Sequence, residues 1–175
     1  MNEWKHIVLK ISNRLECISE LTGRCVSWLV LVLVLLVSYD VAMRYLFNSG
    51  SITIQELEWH IFSVIFLVGS AYTFKQDDHV RLDLLYQSRF SSEIKRAWIN
   101  ILGGIFLLIP FCILIIICSW PFISQSFIHN EGSPDPGGLP FRWILKSAIP
   151  LGFALLLLQG VADILKNLYT VLDRK

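Results

Sequence analysis

Four apolar runs, each long enough to cross a bilayer, leave this chain few ways to fold. A hydrocarbon core about 30 Å thick needs about 20 apolar residues in helical form. Cys25–Met43 supplies the first run, uncharged except for Asp40, and Ile54–Phe74 the second, with its charges confined to the first turns. Ala97–Phe122 is the third, without a charge and with Pro110 near its middle. Trp143–Ala162 is the fourth, where Lys146 lies near enough to the end to snorkel. Helices are expected, because open backbone in lipid leaves polar groups unsatisfied, and no alternating barrel pattern exists. With 54% hydrophobic and 17% charged residues among 175, the fold class is an all-α integral membrane protein. The first run starts too late, runs too long and lacks a following small-residue cleavage site, so it is expected to be retained rather than cleaved as a signal peptide.

Lysine and arginine placement predicts the orientation. Lys5, Lys10, Arg14 and Arg24 precede the first run; Lys75, Arg81, Arg89, Lys95 and Arg96 lie between the second and third; Lys166, Arg174 and Lys175 follow the fourth. Only Arg44, Arg142 and Lys146 lie on the opposite side. Both termini are therefore expected in the cytoplasm. Residues 3–22 carry Trp4, Val8, Ile11, Leu15 and Ile18 at helical spacing, which predicts an amphipathic helix on the membrane surface. The alternative is a helix packed on the inner end of the bundle. "NEGSPDPGGLPFRW" (Asn130–Trp143) reads as a rigid outer loop, and "RFSSEIKRAW" (Arg89–Trp98) as a helix start.

The charges cluster where the first two runs meet. Asp40 and Arg44 stand four apart, acid first, the favourable order for a pair on one helix face. Glu56 and His60 are also four apart, and Ser63 and Ser70 continue that polar face, while Glu58 points roughly opposite Glu56. Three readings stay open. The charges pin the first two helices together, or face another protein subunit, or form a proton or ion site. A transport site favours the midplane between broken helices, and these charges sit at helix ends.

Other features exclude whole classes of function. A net charge of +1 gives no field for nucleic acid. Cys17, Cys25, Cys112 and Cys118 have no metal-ligand spacing. His6, His60, His79 and His129 do not place two histidines mid-span at one depth, as haem in a helical bundle would need. Gln159 and Asp163 suit an interhelical contact near the inner end, and Gly103, Gly104, Gly152 and Gly160 permit close helix approach. No nucleophile–base pair, phosphate loop or zinc site is present, so an enzyme is not expected.

"RYLFNSGSITIQELEWHIFSVIFLVGSAYTFKQDDHVRLDLL" (Arg44–Leu85) resembles the small, DctQ-type membrane subunit of tripartite ATP-independent periplasmic (TRAP) transporters. The likeness rests on Arg44 with the aromatic-Asn stretch, the acidic helix start at Glu56 and Glu58, Gly69–Ala71 and above all "HVRLDLL" (His79–Leu85). "EGSPDPGGLPFRW" and "AIPLGF" (Ala148–Phe153) extend it over nearly the whole chain, while Gln76–Asp78 stands where a glycine is commoner. The resemblance implies a scaffold for a large multi-spanning (DctM-type) subunit in the bacterial inner membrane, taking substrate from a periplasmic (DctP-type) binding protein. It implies sodium sites in the large subunit and no cofactor in this chain. It also implies that His79, Arg81 and Asp83 fasten the middle loop to the bundle or to the large subunit. C4-dicarboxylates, sugar acids and sialic acid are all open as cargo. Two rivals are a self-sufficient four-helix proton-coupled exporter and the membrane anchor of a redox complex.

Overall fold

The computed structural model describes residues 2–76 and 93–173. It comprises four helices: α1 (Asn2–Leu46), α2 (Ile52–Lys75), α3 (Glu93–Ile128) and α4 (Arg142–Asp173), with no strand among the described residues. All four are long and apolar enough to cross a membrane.

The first helix differs from the sequence expectation in its continuity. A separate surface helix over residues 3–22 and a span over 25–43 were expected, yet α1 runs unbroken for 45 residues. At 1.5 Å per residue that is roughly 67 Å, over twice the hydrocarbon thickness, so much of α1 lies beyond the membrane core. The continuity has a physical reason in the pattern of buried positions. Ser12, Ser19, Val26 and Asp40 are buried at seven-residue multiples, with half-buried Leu33 completing the series, so one face serves both halves. Inward contact in the first half is made by small polar side chains, and the Ser12 hydroxyl donates to the Ala162 carbonyl at 3.1 Å. The apolar Ile11 and Ile18 point outward and stay exposed. The first half thus packs on the end of the bundle opposite the α3–α4 loop and presents an apolar stripe away from it.

Pro110 has no N–H to give and its ring crowds the preceding turn. The helix accommodates it with a π-helical stretch at Gly104–Leu108, where the Ile109 N–H reaches back to the Gly104 carbonyl. Pro121 and Pro150 also lie inside helices.

The hub of the fold is α4. It packs on α1, α2 and α3, and α1 packs on α2, whereas α3 runs along α4 and not along α1 or α2. Its inward seam is Ala148, Gly152, Leu155, Gln159 and Ala162, a four-three alternation of mostly small residues that lets backbones approach. Gly152 shows how closely: a Cβ there would lie 2.6 Å from the Leu67 backbone oxygen on α2. Gly104 and Gly160 likewise face Ile164 and Leu108 across the α3–α4 contact, while Gly103 has open space before it.

The exposed area is 12073 Å², against about 8,700 Å² for a compact soluble monomer of 20.1 kDa. Much of the excess is apolar, including Trp28, Leu35, Phe66, Phe106, Leu107 and Trp120. Such a surface requires lipid or protein around it.

Candidate functional site at the loop end of the bundle

The charged residues at the end of α1 and the start of α2 separate into two groups with different jobs. In the first, the Arg44 guanidinium donates to the Asp40 carboxylate one helical turn away. Asp40 is only 2% exposed, although Arg44 is half-exposed. Glu58, across on α2, lies close enough to feel both charges. One oxygen of each carboxylate, Asp40 Oδ1 and Glu58 Oε1, is buried without a hydrogen-bond partner. Arg44 is thus paired with Asp40 within α1, and Glu58 faces that pair from α2 without an ion pair of its own among the described residues. Losing the arginine would leave a buried carboxylate uncompensated, which costs more than losing the pair together. Arg44→Gln is therefore expected to destabilise the protein more than Asp40→Asn/Arg44→Gln. The coupling should be about 1 kcal/mol or more in thermal melts of the purified chain; strictly additive effects would count against it.

The second group centres on Glu56, which is 5% exposed. The sequence spacing puts Glu56 and His60 on one helix face, but the carboxylate turns to the loop between α3 and α4. It accepts hydrogen bonds from the Ser133 hydroxyl and the Leu139 backbone N–H. Thr53, one turn earlier, donates its hydroxyl to the Gly137 carbonyl at 2.5 Å. His60 instead places Nδ1 2.6 Å from the Glu56 backbone carbonyl and its ring 4.0 Å from that of Trp59.

The loop is shaped to meet Glu56. Gly137 holds φ at +85°, which other residues rarely adopt, and a Cβ on Gly138 would lie 2.7 Å from the Glu56 carboxylate. The Gly138 N–H donates to the Asp135 carbonyl and the Ser133 N–H to the Leu139 carbonyl, closing a compact turn. Glu131 fastens the other side: Lys146 on α4 donates to it, and Arg142 lies 3.9 Å away. The Lys146 ammonium also sits 3.9 Å from the Phe122 ring centre.

The Lys146 hydrogen bond holds the Glu131 carboxyl below its ordinary value of 4.5. A depressed carboxyl stabilises the folded loop above its unfolded value and loses that contribution as pH falls through the folded one. Protection of the amides in residues 129–141, relative to their unstructured exchange rates at each pH, is therefore expected to be flat from pH 7 to about 5 and to fall below about 4.5. Glu131→Gln should show the acid behaviour already at neutral pH. A loop equally protected at low pH, or unchanged in that variant, would show that Glu131 does not hold it.

The opposite end carries a second set of ties. Lys75 on α2 donates to Glu20 at 2.5 Å, and Lys166 on α4 to Glu16 at 2.8 Å, both fastening the first half of α1. Asn100 donates to Asn167 at 3.2 Å, and Asn167 in turn to Asp163. Gln159 is buried nearby. His79, Arg81 and Asp83 lie outside the described residues. Sequence reasoning missed Glu131, Ser133 and Lys146 as partners. The density of proline and glycine marked a rigid loop, but no local signal connects Ser133 to a carboxylate 77 residues earlier. Among the described residues no group of His, Cys, Asp and Glu could hold a metal ion. The arrangement is an Asp40–Arg44 pair on α1 faced by Glu58 on α2, and a latch that joins α2 to the α3–α4 loop through Glu56.

Residues 33–170, which contain both charged groups, match the family described as "Tripartite ATP-independent periplasmic transporters, DctQ component". The chain belongs to the DctQ family. This is a family of transporter components and not of enzymes. The DctQ match begins inside α1, so the half of that helix carrying Ser12 and Ser19 precedes it. Among curated proteins, the C4-dicarboxylate TRAP transporter small permease protein DctQ of Vibrio cholerae serotype O1 is 28% identical over 142 residues. That alignment covers 70% of this DctQ chain and 60% of its relative's length.

Proposed function

We propose that this small TRAP permease subunit is the fixed scaffold of a sodium-driven importer. It braces a large multi-spanning DctM-type subunit in the bacterial inner membrane, with both termini cytoplasmic and the α3–α4 loop in the periplasm. The cargo is an organic acid delivered by a DctP-type binding protein, and the middle-loop residues His79, Arg81 and Asp83 help fasten the assembly. The observation that carries this reading is the position of the charges. Asp40, Arg44, Glu56 and Glu58 lie at helix ends, where Asp40 pairs with Arg44 and Glu56 closes a loop, whereas a carrier concentrates such groups at the midplane. The broad apolar flank of α3, which packs on α4 and not on α1 or α2, supports a neighbour in the membrane.

A pull-down of the tagged chain in mild detergent, expressed with its native neighbours, tests the reading. A large multi-spanning protein is expected to copurify in stoichiometric amount. A homodimer that moves substrate alone in liposomes would overturn it and make Asp40 and Glu56 candidates for ion coupling. A visible Soret band in the purified chain would instead revive the redox anchor.

A further inference from the structure

Because α3 packs on α4 and not on α2, a groove of about 350 Å³ opens between them at the loop end of the bundle. Its walls are Trp59, Ser63 and Leu67 on α2, Phe122 on α3, and Leu145 and Ile149 on α4. From Trp59 to Leu67 it runs roughly 12 Å down α2 at 1.5 Å per residue. It ends near the level where Leu67 meets Gly152 and the α2 and α4 backbones close. The walls are apolar except for the Ser63 hydroxyl, which is turned to the Trp59 carbonyl at 2.7 Å. Its mouth carries Arg142, Lys146 and Glu131, and the Glu56 carboxylate lies within electrostatic reach of Arg142.

The cations are unevenly committed. Lys146 donates to Glu131, but Arg142 at 3.9 Å is beyond hydrogen-bond reach of that carboxylate, leaving its N–H donors for another acceptor. Its guanidinium lies 5.8 Å from the Trp59 ring centre, at the top of the groove. A guanidinium with uncommitted donors at a membrane boundary, above an apolar slot, is complementary to one kind of ligand: a phosphodiester head with a hydrocarbon tail.

We infer that the α2–α3–α4 groove binds one anionic glycerophospholipid, its phosphate on Arg142 beside Lys146 and one acyl chain along Ser63 and Leu67. A headgroup ammonium would return the positive charge that the phosphate neutralises, so phosphatidylglycerol is favoured over phosphatidylethanolamine. The inference goes beyond the scaffold reading and does not depend on it.

The test is native mass spectrometry of the full chain, delipidated in mild detergent and titrated with each of these two lipids. One phosphatidylglycerol per chain is expected to be retained severalfold more strongly than phosphatidylethanolamine. Arg142→Gln/Lys146→Gln should abolish that preference. Since the double variant also loosens Glu131, Ser63→Trp serves as a second probe; it leaves every mouth charge in place, fills the slot and should cut retention severalfold. Equal retention of both lipids, or retention undiminished by Ser63→Trp, would overturn the site. So would a photo-crosslinking residue at position 63 that, in native membranes, captures another polypeptide instead of lipid.

Discussion

Gly152→Ala is expected to loosen the α2–α4 contact and lower the thermal midpoint of the purified chain, and Gly152→Leu to do so more severely. The new Cβ would lie 2.6 Å from the Leu67 carbonyl oxygen and 2.8 Å from its carbon. These are backbone atoms, so no rotamer change relieves the overlap, and one helix must move. Overpacking of this kind costs about 1–3 kcal/mol and occasionally more. The movement also spreads, because α4 is the helix on which α1, α2 and α3 all pack. Gly103→Ala is the control. Nothing lies within 4 Å of a Cβ there, and replacing an unconstrained helical glycine by alanine gains about 0.5–1 kcal/mol. The two substitutions are chemically identical and should shift the midpoint in opposite directions. Equal shifts would mean that α2 and α4 do not approach as closely as Gly152 and Leu67 require.

Glu56→Ala is expected to release the α3–α4 loop from α2. The substitution removes the acceptor of the Ser133 hydroxyl and of the Leu139 N–H together, and an amide left unsatisfied beside apolar surface is costly. Hydrogen exchange in residues 129–141 should rise by about tenfold or more, with Ser133→Ala giving a smaller rise and Glu56→Gln an intermediate one. Gln keeps one acceptor oxygen but adds an N–H₂ donor where two donors already converge. Exchange unchanged in Glu56→Ala would leave the loop held by Glu131 and Lys146 alone. Were the carboxylate turned along its own helix face toward His60, the loop would be indifferent to position 56.

That contrast marks where sequence reading stops. The four spans were legible because hydrophobic length is a one-dimensional property, and each expected run lies within one observed helix. Asp40 and Arg44, four residues apart, were legible for the same reason: helix geometry alone fixes their neighbourhood. Glu56 was not, because its spacing to His60 was satisfied by a backbone contact while its carboxylate found a loop remote in sequence. The length of α1 escaped for a subtler reason. The eye follows large apolar residues such as Ile11 and Ile18, yet in a membrane protein the packed face is often the one with small residues, here Ser12 and Ser19. The π-helical stretch could have been suspected from Pro110, which demands some local adjustment without saying which.

The central position of α4 has a consequence for how the molecule is made. Its three partners precede it in the chain, so a ribosome delivers them to the membrane before their common neighbour exists. Once threaded in, α1 and α2 can meet at once, since they touch directly. The third helix must wait alone in lipid, because the surface it rests on has not been synthesised. At about 5–20 residues per second the delay lasts a few seconds, during which its apolar flank is open to other chains. Assembly in the cell then turns on one late event, the arrival of Gly152 and Ala162 beside helices already in place.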